Sequence, residues 1–182
     1  MQTSASPHLF LAKELWKNFL QFSDIAIDAT CGNGNDTLFL AGLCTVIGID
    51  IQPVAIQSTA DLLEKHGKKA LLQRLSHEHL DQLPLPHPPK LIVYNLGYLP
   101  RGDKSLTTKV ETTLASVKKG LGLLAPTGAL SITCYPGHEE GAKEEKNLLE
   151  WATQLSSDRY LVCHHTWLNR KGAPSLFWIS AL

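Results

Sequence analysis

The chain of 182 residues sets 17 Lys plus Arg against 17 Asp plus Glu, so its formal charge is zero. With 43% hydrophobic and 19% charged residues it has the mix of one globular domain, which excludes disordered, collagen-like and coiled-coil chains. At this length roughly 70% of the unfolded surface can be buried, so the core needs no disulfide or metal. No apolar run approaches the roughly 20 residues of a membrane span, and the N-terminus lacks a signal-peptide pattern. No membrane partner is expected, and the expected compartment is cytoplasmic. Cys31, Cys44, Cys134 and Cys163 stand singly, without a Cys-x-x-Cys pair, and read as reduced thiols. Neutrality argues against non-specific duplex binding but leaves room for a local basic patch.

Residues 8–22 carry Leu9, Leu11, Ala12, Leu15, Trp16, Phe19 and Leu20 at spacings of mainly three and four, which predicts an amphipathic helix. A first strand over 25–27 ends at Asp28, and a turn over 29–35 leads into a short helix over 36–42. A second strand over 45–49 ends at Asp50, and Pro53 opens a helix reaching about residue 66. Strands follow at 70–75 and at 91–94, the latter closing on Asn95. A helix over 108–124, a strand over 129–134 and a helix over 139–155 come next. Two late β-like runs, 160–168 and 176–180, are close enough to form a hairpin with one strand antiparallel to the rest.

Apolar strands alternating with helices predict an α/β, Rossmann-like fold. Its sheet would have seven mostly parallel strands, helices on both faces and a C-terminal antiparallel hairpin. Residues 1–182 form one domain in this reading, with 1–22 as an N-terminal helix packed on it. Such sheets bind ligands at the carboxyl ends of their strands, near the point where strand order reverses.

The segment Asp28-Ala29-Thr30-Cys31-Gly32-Asn33-Gly34-Asn35-Asp36-Thr37 sits at the first of those ends. Gly32 and Gly34 let the backbone pass close beneath a ligand. A dinucleotide fingerprint would put a third glycine where Thr37 stands, which disfavours a nicotinamide-dependent reductase. Asp28 adds an acid suited to a ligand with a positive group. Asp50, 22 residues after Asp28, can accept both hydroxyls of a ribose, with Gln52 beside it. A nucleoside with a cationic amino-acid tail, S-adenosylmethionine, satisfies these features together. The expected cofactor residues are Asp28, Gly32, Asn33, Gly34, Asn35, Asp36, Thr37, Asp50, Gln52, His77 and Asn95.

Strand four ends in Asn95-Leu96-Gly97-Tyr98-Leu99-Pro100. Amino-directed methyltransferases carry Asn/Asp-Pro-Pro-aromatic there; this chain keeps the end residues and not the prolines. Asn95 can accept hydrogen bonds from an amine and Tyr98 can stack on the group that bears it. The nucleophile must be a neutral amine, so the site has to disfavour the ammonium by desolvation or by a nearby base, and Tyr135, His138 or His77 could take the proton. Asn95, Tyr98, Tyr135 and His138 are therefore the expected catalytic residues.

Several further blocks accompany these: Asp50-Ile51-Gln52, Ser76-His77-Glu78, Gly102-Asp103-Lys104-Ser105, Thr108-Lys109 with Glu111-Thr112-Thr113, and Tyr135-Pro136-Gly137-His138-Glu139-Glu140-Gly141. With the glycine loop and the Asn95 segment, they resemble the YtqB-like class I methyltransferases, a family once labelled as rRNA methylases. The resemblance implies S-adenosylmethionine as donor and a tRNA anticodon stem-loop as partner. It implies methylation of the exocyclic amine of 5-aminomethyl-2-thiouridine at wobble position 34, giving 5-methylaminomethyl-2-thiouridine.

Arg101, Lys104 and Lys109 follow the Asn95 segment and are the expected phosphate contacts. Lys118-Lys119 reads as a solvated face and Trp167 as core. Eight histidines lack zinc-site spacing, so no metal is expected. Glu139, Glu140, Glu144 and Glu145 read as acids favouring a helix N-terminal half. The alternatives are a small-molecule or rRNA N-methyltransferase and a non-catalytic tRNA-binding module. An isologous homodimer is the default expectation.

Overall fold

The structure, a computed structural model, describes residues 6–97 and 108–182. Its elements run α1 (Pro7–Phe19), β1 (Ile25–Asp28), α2 (Asn35–Leu40), β2 (Thr45–Asp50), α3 (Pro53–Lys65), β3 (Leu71–Arg74) and β4 (Leu91–Asn95). They continue as α4 (Val110–Leu123), β5 (Ala129–Cys134), α5 (Glu139–Ala152), β6 (Tyr160–His165) and β7 (Ser175–Ala181). The strands form one sheet in the order β3-β2-β1-β4-β5-β7-β6. All neighbours through β5 pair in parallel, and β7 lies antiparallel to both β5 and β6. Strand order reverses between β1 and β4, so their carboxyl ends form the ligand-binding position of this topology.

Alternation along the strands divides the core in two. Ala26, Val46, Leu91, Val93 and Ala129 point to one face and pack with Ala12 and Trp16 of α1 and Leu40 of α2. Ile27, Ile49, Ile92, Tyr94 and Ile132 point to the other, against Val117 of α4 and Leu148 of α5. Trp16, 1% exposed, pins α1 to the sheet by donating its indole N–H to Ser131 Oγ at 2.8 Å. That anchor matters because α1 carries Lys13 and His8, which contact the cleft-lining residues Asp36 and Tyr135.

The predicted architecture is the one observed, with differences at the edges. The first helix stops at Phe19 rather than residue 22. Leu20 is already extended, and Gln21 N–H turns onto Asp24 Oδ2 at 2.7 Å. The penultimate strand ends at His165 rather than residue 168, because its last partner is Leu176 and Trp167 folds into a turn with its indole N–H on Pro174 O. Trp167 is half-buried there and not core. A 3₁₀ helix over His77–Gln82 was not foreseen; six residues without a side-chain cap leave little periodic signal, yet Leu80 within it is fully buried. Among the described residues no helix is long and apolar enough to cross a membrane.

Candidate active site

The carboxyl ends of β1, β2 and β4 open into a cleft of about 830 Å³, within the roughly 300–1,000 Å³ of small-molecule and cofactor sites. Gly32, Asn33, Asn35 and Asp36 line it from the loop after β1, Asp50 and Gln52 from the end of β2, and His77 and Glu78 from beyond β3. Asn95 and Gly97 follow from β4, Tyr135 and His138 from beyond β5, and Thr108, Lys109 and Thr112 from the start of α4. Of the expected site residues, Tyr98, Arg101 and Lys104 lie outside the described residues.

Three residues expected at the cofactor do not line the cleft. Asp28 has no exposed surface: its carboxylate accepts the Thr37 hydroxyl at 2.6 Å and the Thr30 N–H at 3.2 Å. Thr37 is buried with it. Gly34 packs downward, with φ +81°, and a Cβ there would stand 2.8 Å from Thr59 Cα. All three support the loop from below the cleft lining.

Burial, with Asp36 and Asp50 adding like charge, pushes Asp28 from 3.8 up to about 7, against the opposing bonds from Thr37 and Thr30. A raised folded-state value means that the native protein holds a proton that the unfolded chain has lost. This contribution to stability is complete below about pH 4 and is lost as pH rises toward 7. Asp28→Asn should therefore flatten the fall in stability between pH 5 and pH 8, as measured by urea unfolding at the two pH values.

Asp50 Oδ2 accepts the Gly32 N–H at 3.0 Å and Oδ1 the Gln52 N–H at 2.9 Å. Each carboxylate oxygen keeps a second lone pair for a ligand hydroxyl. His77 is 9% exposed and its Nε2 is buried without a hydrogen-bond partner; burial pulls the ring down to about 4, so it is neutral. A buried orphan nitrogen on a cleft wall is costly unless a ligand completes it.

At the other end, the Asn95 N–H donates to Thr30 Oγ1 at 2.7 Å, tying β4 to the loop after β1. Its side-chain Nδ2 donates to Asp36 Oδ2 at 3.1 Å. Asp36 also pairs with Lys13 of α1, 3.2 Å away. Burial pushes the Tyr135 phenol up to about 12, with Asp36 adding to the rise and a hydrogen bond from the Asn95 side chain opposing it. His138 caps α5, its Nδ1 accepting the Gly141 N–H at 3.1 Å. In the neutral ring the proton is then on Nε2, so Nδ1 is already used and the other nitrogen is a donor.

Glu144 is the acid that sequence reasoning misread. It is 4% exposed, accepting Thr108 Oγ1 at 2.9 Å and Thr113 Oγ1 at 2.5 Å, and burial raises its pKa. Thr108 in turn accepts the Gly97 N–H at 2.9 Å on Oγ1 and donates its own N–H to Gly97 O at 3.0 Å. Gly97 and Thr108 are thus held together over a buried carboxylate. Glu144→Ala should cost about 2–3 kcal/mol of stability by leaving both threonines without their charged acceptor, read by chemical denaturation; Glu144→Gln should lose less.

Lys13 and His8, which back the cleft-lining Asp36 and Tyr135, were also missed, because nothing in the spacing of α1 separates such a residue from a solvated one. Among the described residues no three of His, Cys, Asp and Glu converge as a metal-ligand set.

A family model described as "Putative rRNA methylase" matches residues 46–180. The chain belongs to this family. It is also 34% identical over 93% of its length to the chloroplastic tRNA (mnm(5)s(2)U34)-methyltransferase of Arabidopsis thaliana, covering 67% of that protein. A crystal structure described as a putative rRNA methylase of Clostridium thermocellum matches with a TM-score of 0.92 at 33% identity, over 96% of this chain and 97% of that one. A putative methyltransferase of Streptococcus mutans, crystallised in complex with SAH, matches with a TM-score of 0.88 at 34% identity, over 96% and 98% of the two chains. This rRNA-methylase family member is accordingly a methyltransferase with the Rossmann-like class I fold.

Proposed function

We propose that the protein methylates the exocyclic amine of 5-aminomethyl-2-thiouridine at wobble position 34 of tRNA, in the cytoplasm, giving 5-methylaminomethyl-2-thiouridine. S-adenosylmethionine is the methyl donor; when bound it supplies an electrophilic methyl on a sulfonium. The observation that carries this reading is the division of the cleft into two chemically distinct ends that meet at Asn95.

At one end Asp50 offers free lone pairs to a ribose, and the unpartnered His77 Nε2 offers a hydrogen bond to a purine edge. Gly32 and Asn33 pass over the middle. Asp36 at the rim and Asp50 at the end of β2 make the surroundings negative, which suits a ligand bearing a sulfonium and an ammonium. The donor set therefore fits S-adenosylmethionine, and the SAH-bound relative supports the same assignment.

At the other end Asn95 has its amide hydrogens turned toward Asp36 and Tyr135. Its Oδ1 then accepts from the substrate amine and aims the nitrogen's lone pair at the methyl carbon. Holding the two in line at about 3–3.5 Å supplies most of the rate, and no covalent enzyme intermediate is needed. Lys109, exposed at the cleft mouth, is placed for a backbone phosphate. Tyr98, Arg101 and Lys104 belong to the same proposal through their position in the chain. The relative named for this uridine supports the choice of nucleoside.

The test uses purified protein and S-adenosylmethionine labelled on the methyl. Label should enter tRNA carrying 5-aminomethyl-2-thiouridine and not the same tRNA lacking the aminomethyl group. Equal labelling of both, or labelling of rRNA instead, overturns the proposal.

A further inference from the structure

Among the described residues, the acceptor end of the cleft around Asn95 offers no evident agent for removing a proton from the substrate, with Asp50 and Glu78 lying toward the cofactor end. His77 is directed at the cofactor end, His138 presents a donor, and the Tyr135 phenol is too weakly acidic to exist as a phenolate near neutrality. Lys109 and Lys13 are cations, and Asp36 is held by Lys13 and Asn95. Behind Tyr135, however, stands a histidine from the N-terminal helix. His8 Nε2 lies 3.3 Å from the Tyr135 hydroxyl, with the two rings edge-to-face at 5.5 Å. His8 is 8% exposed, close enough to the surface to exchange a proton with solvent.

We propose that His8 is the terminal base of the site, receiving the substrate's proton through the Tyr135 hydroxyl. The inference rests on the amine-methylating reading above. The substrate ammonium donates to the Tyr135 oxygen, and the N–H bond breaks to leave a lone pair on nitrogen. The phenol's own proton passes to His8 Nε2, so tyrosine stays neutral throughout and His8 becomes an imidazolium. The freed lone pair then forms the N–CH3 bond as the S–CH3 bond breaks. The product leaves as the methylated ammonium with S-adenosylhomocysteine, and His8 returns its proton to water. Two positive charges enter with donor and substrate, and two remain on product and His8.

The surroundings suit each part of this path. The phenol oxygen takes a hydrogen bond from Asn95, which keeps it beside the residue that holds the amine. A sulfonium next to an ammonium lowers the ammonium's pKa by like-charge repulsion, bringing it toward the range of an imidazole. Burial lowers His8 below its ordinary 6.5, with Asp36 opposing, so the ring is neutral and able to accept at pH 7. Tyr135 beyond β5 touches the ring and Asp36 of α2 acts on its charge, Asp36 being itself paired with Lys13 of α1 and bonded by Asn95 at the end of β4.

The relay requires His8 Nε2 to be the acceptor, which places the neutral ring's proton on Nδ1. Nitrogen NMR of histidine-labelled protein without ligands should show that tautomer at pH 7. In Tyr135→Phe the midpoint of the His8 titration should rise, because a bond favouring the neutral ring is gone. In single-turnover assays His8→Gln, which can hydrogen-bond to Tyr135 but cannot carry a proton, should lower the methyl-transfer rate by about 100-fold, with KM for tRNA and cofactor within about twofold of wild type. Added imidazole should restore a fraction of the rate to His8→Ala, which a packing role would not produce. A His8 ring protonated on Nε2 at pH 7, or His8→Gln at the wild-type rate, overturns the relay and leaves the proposed function standing. Wild-type protein unable to methylate the aminomethyl tRNA overturns both.

Discussion

Asn95→Ala should lower kcat by about 100-fold, the scale on which loss of precise positioning acts, while S-adenosylmethionine binds within about threefold of wild type. Asn95 sits where β4 ends, its backbone N–H fixed by Thr30 and its side chain by Asp36. These bonds fix the direction in which Oδ1 faces. Alanine keeps the backbone bond and deletes only the acceptor, so the amine still enters the cleft but samples many orientations. Asn95→Asp should not rescue the rate, because a second carboxylate beside Asp36 would hold the substrate as its ammonium. Rapid-quench assays under single-turnover conditions separate this loss from tRNA binding. A kcat within threefold of wild type for Asn95→Ala would remove the residue from the chemistry.

The second large effect falls on the cofactor. Asp50→Ala should weaken S-adenosylmethionine binding by about 100-fold, as two hydrogen bonds from ribose hydroxyls to a charged acceptor are worth about 3 kcal/mol together. The substitution also frees the Gly32 and Gln52 N–H groups that the carboxylate now holds, loosening the loop over the ligand. Asp50→Asn should fall between, since one side-chain oxygen remains. Calorimetric titration gives the affinity directly, and a matched thermal-melting curve shows whether the fold has survived. An unchanged dissociation constant in a folded Asp50→Ala protein would place the ribose elsewhere.

Much of this site could be read from the sequence because sheet topology converts strand ends into geometry. Once the apolar runs that became β1, β2 and β4 were recognised, Gly32, Asp50 and Asn95 had to converge, although 63 residues separate Gly32 from Asn95. What could not be read was depth. The same loop places Asp36 on the cleft wall and Asp28 beneath it, and only the packed fold distinguishes the acid that lines the cleft from the one that bonds Thr37. Helix faces were ambiguous for a related reason. Period 3.6 marks which side of α5 is apolar, but gives no sign that Glu144 would turn inward to two threonines. His8 looked like an ordinary helix-start residue until α1 docked across β5 and set it against Tyr135, 127 positions away.

The most direct measurement is mass spectrometry of the tRNA nucleosides from cells with and without this protein. The account predicts that 5-methylaminomethyl-2-thiouridine disappears in its absence while 5-aminomethyl-2-thiouridine accumulates in its place, and that the Asn95→Ala chain fails to restore the methylated nucleoside. An unchanged nucleoside profile, or full restoration by Asn95→Ala, would contradict it.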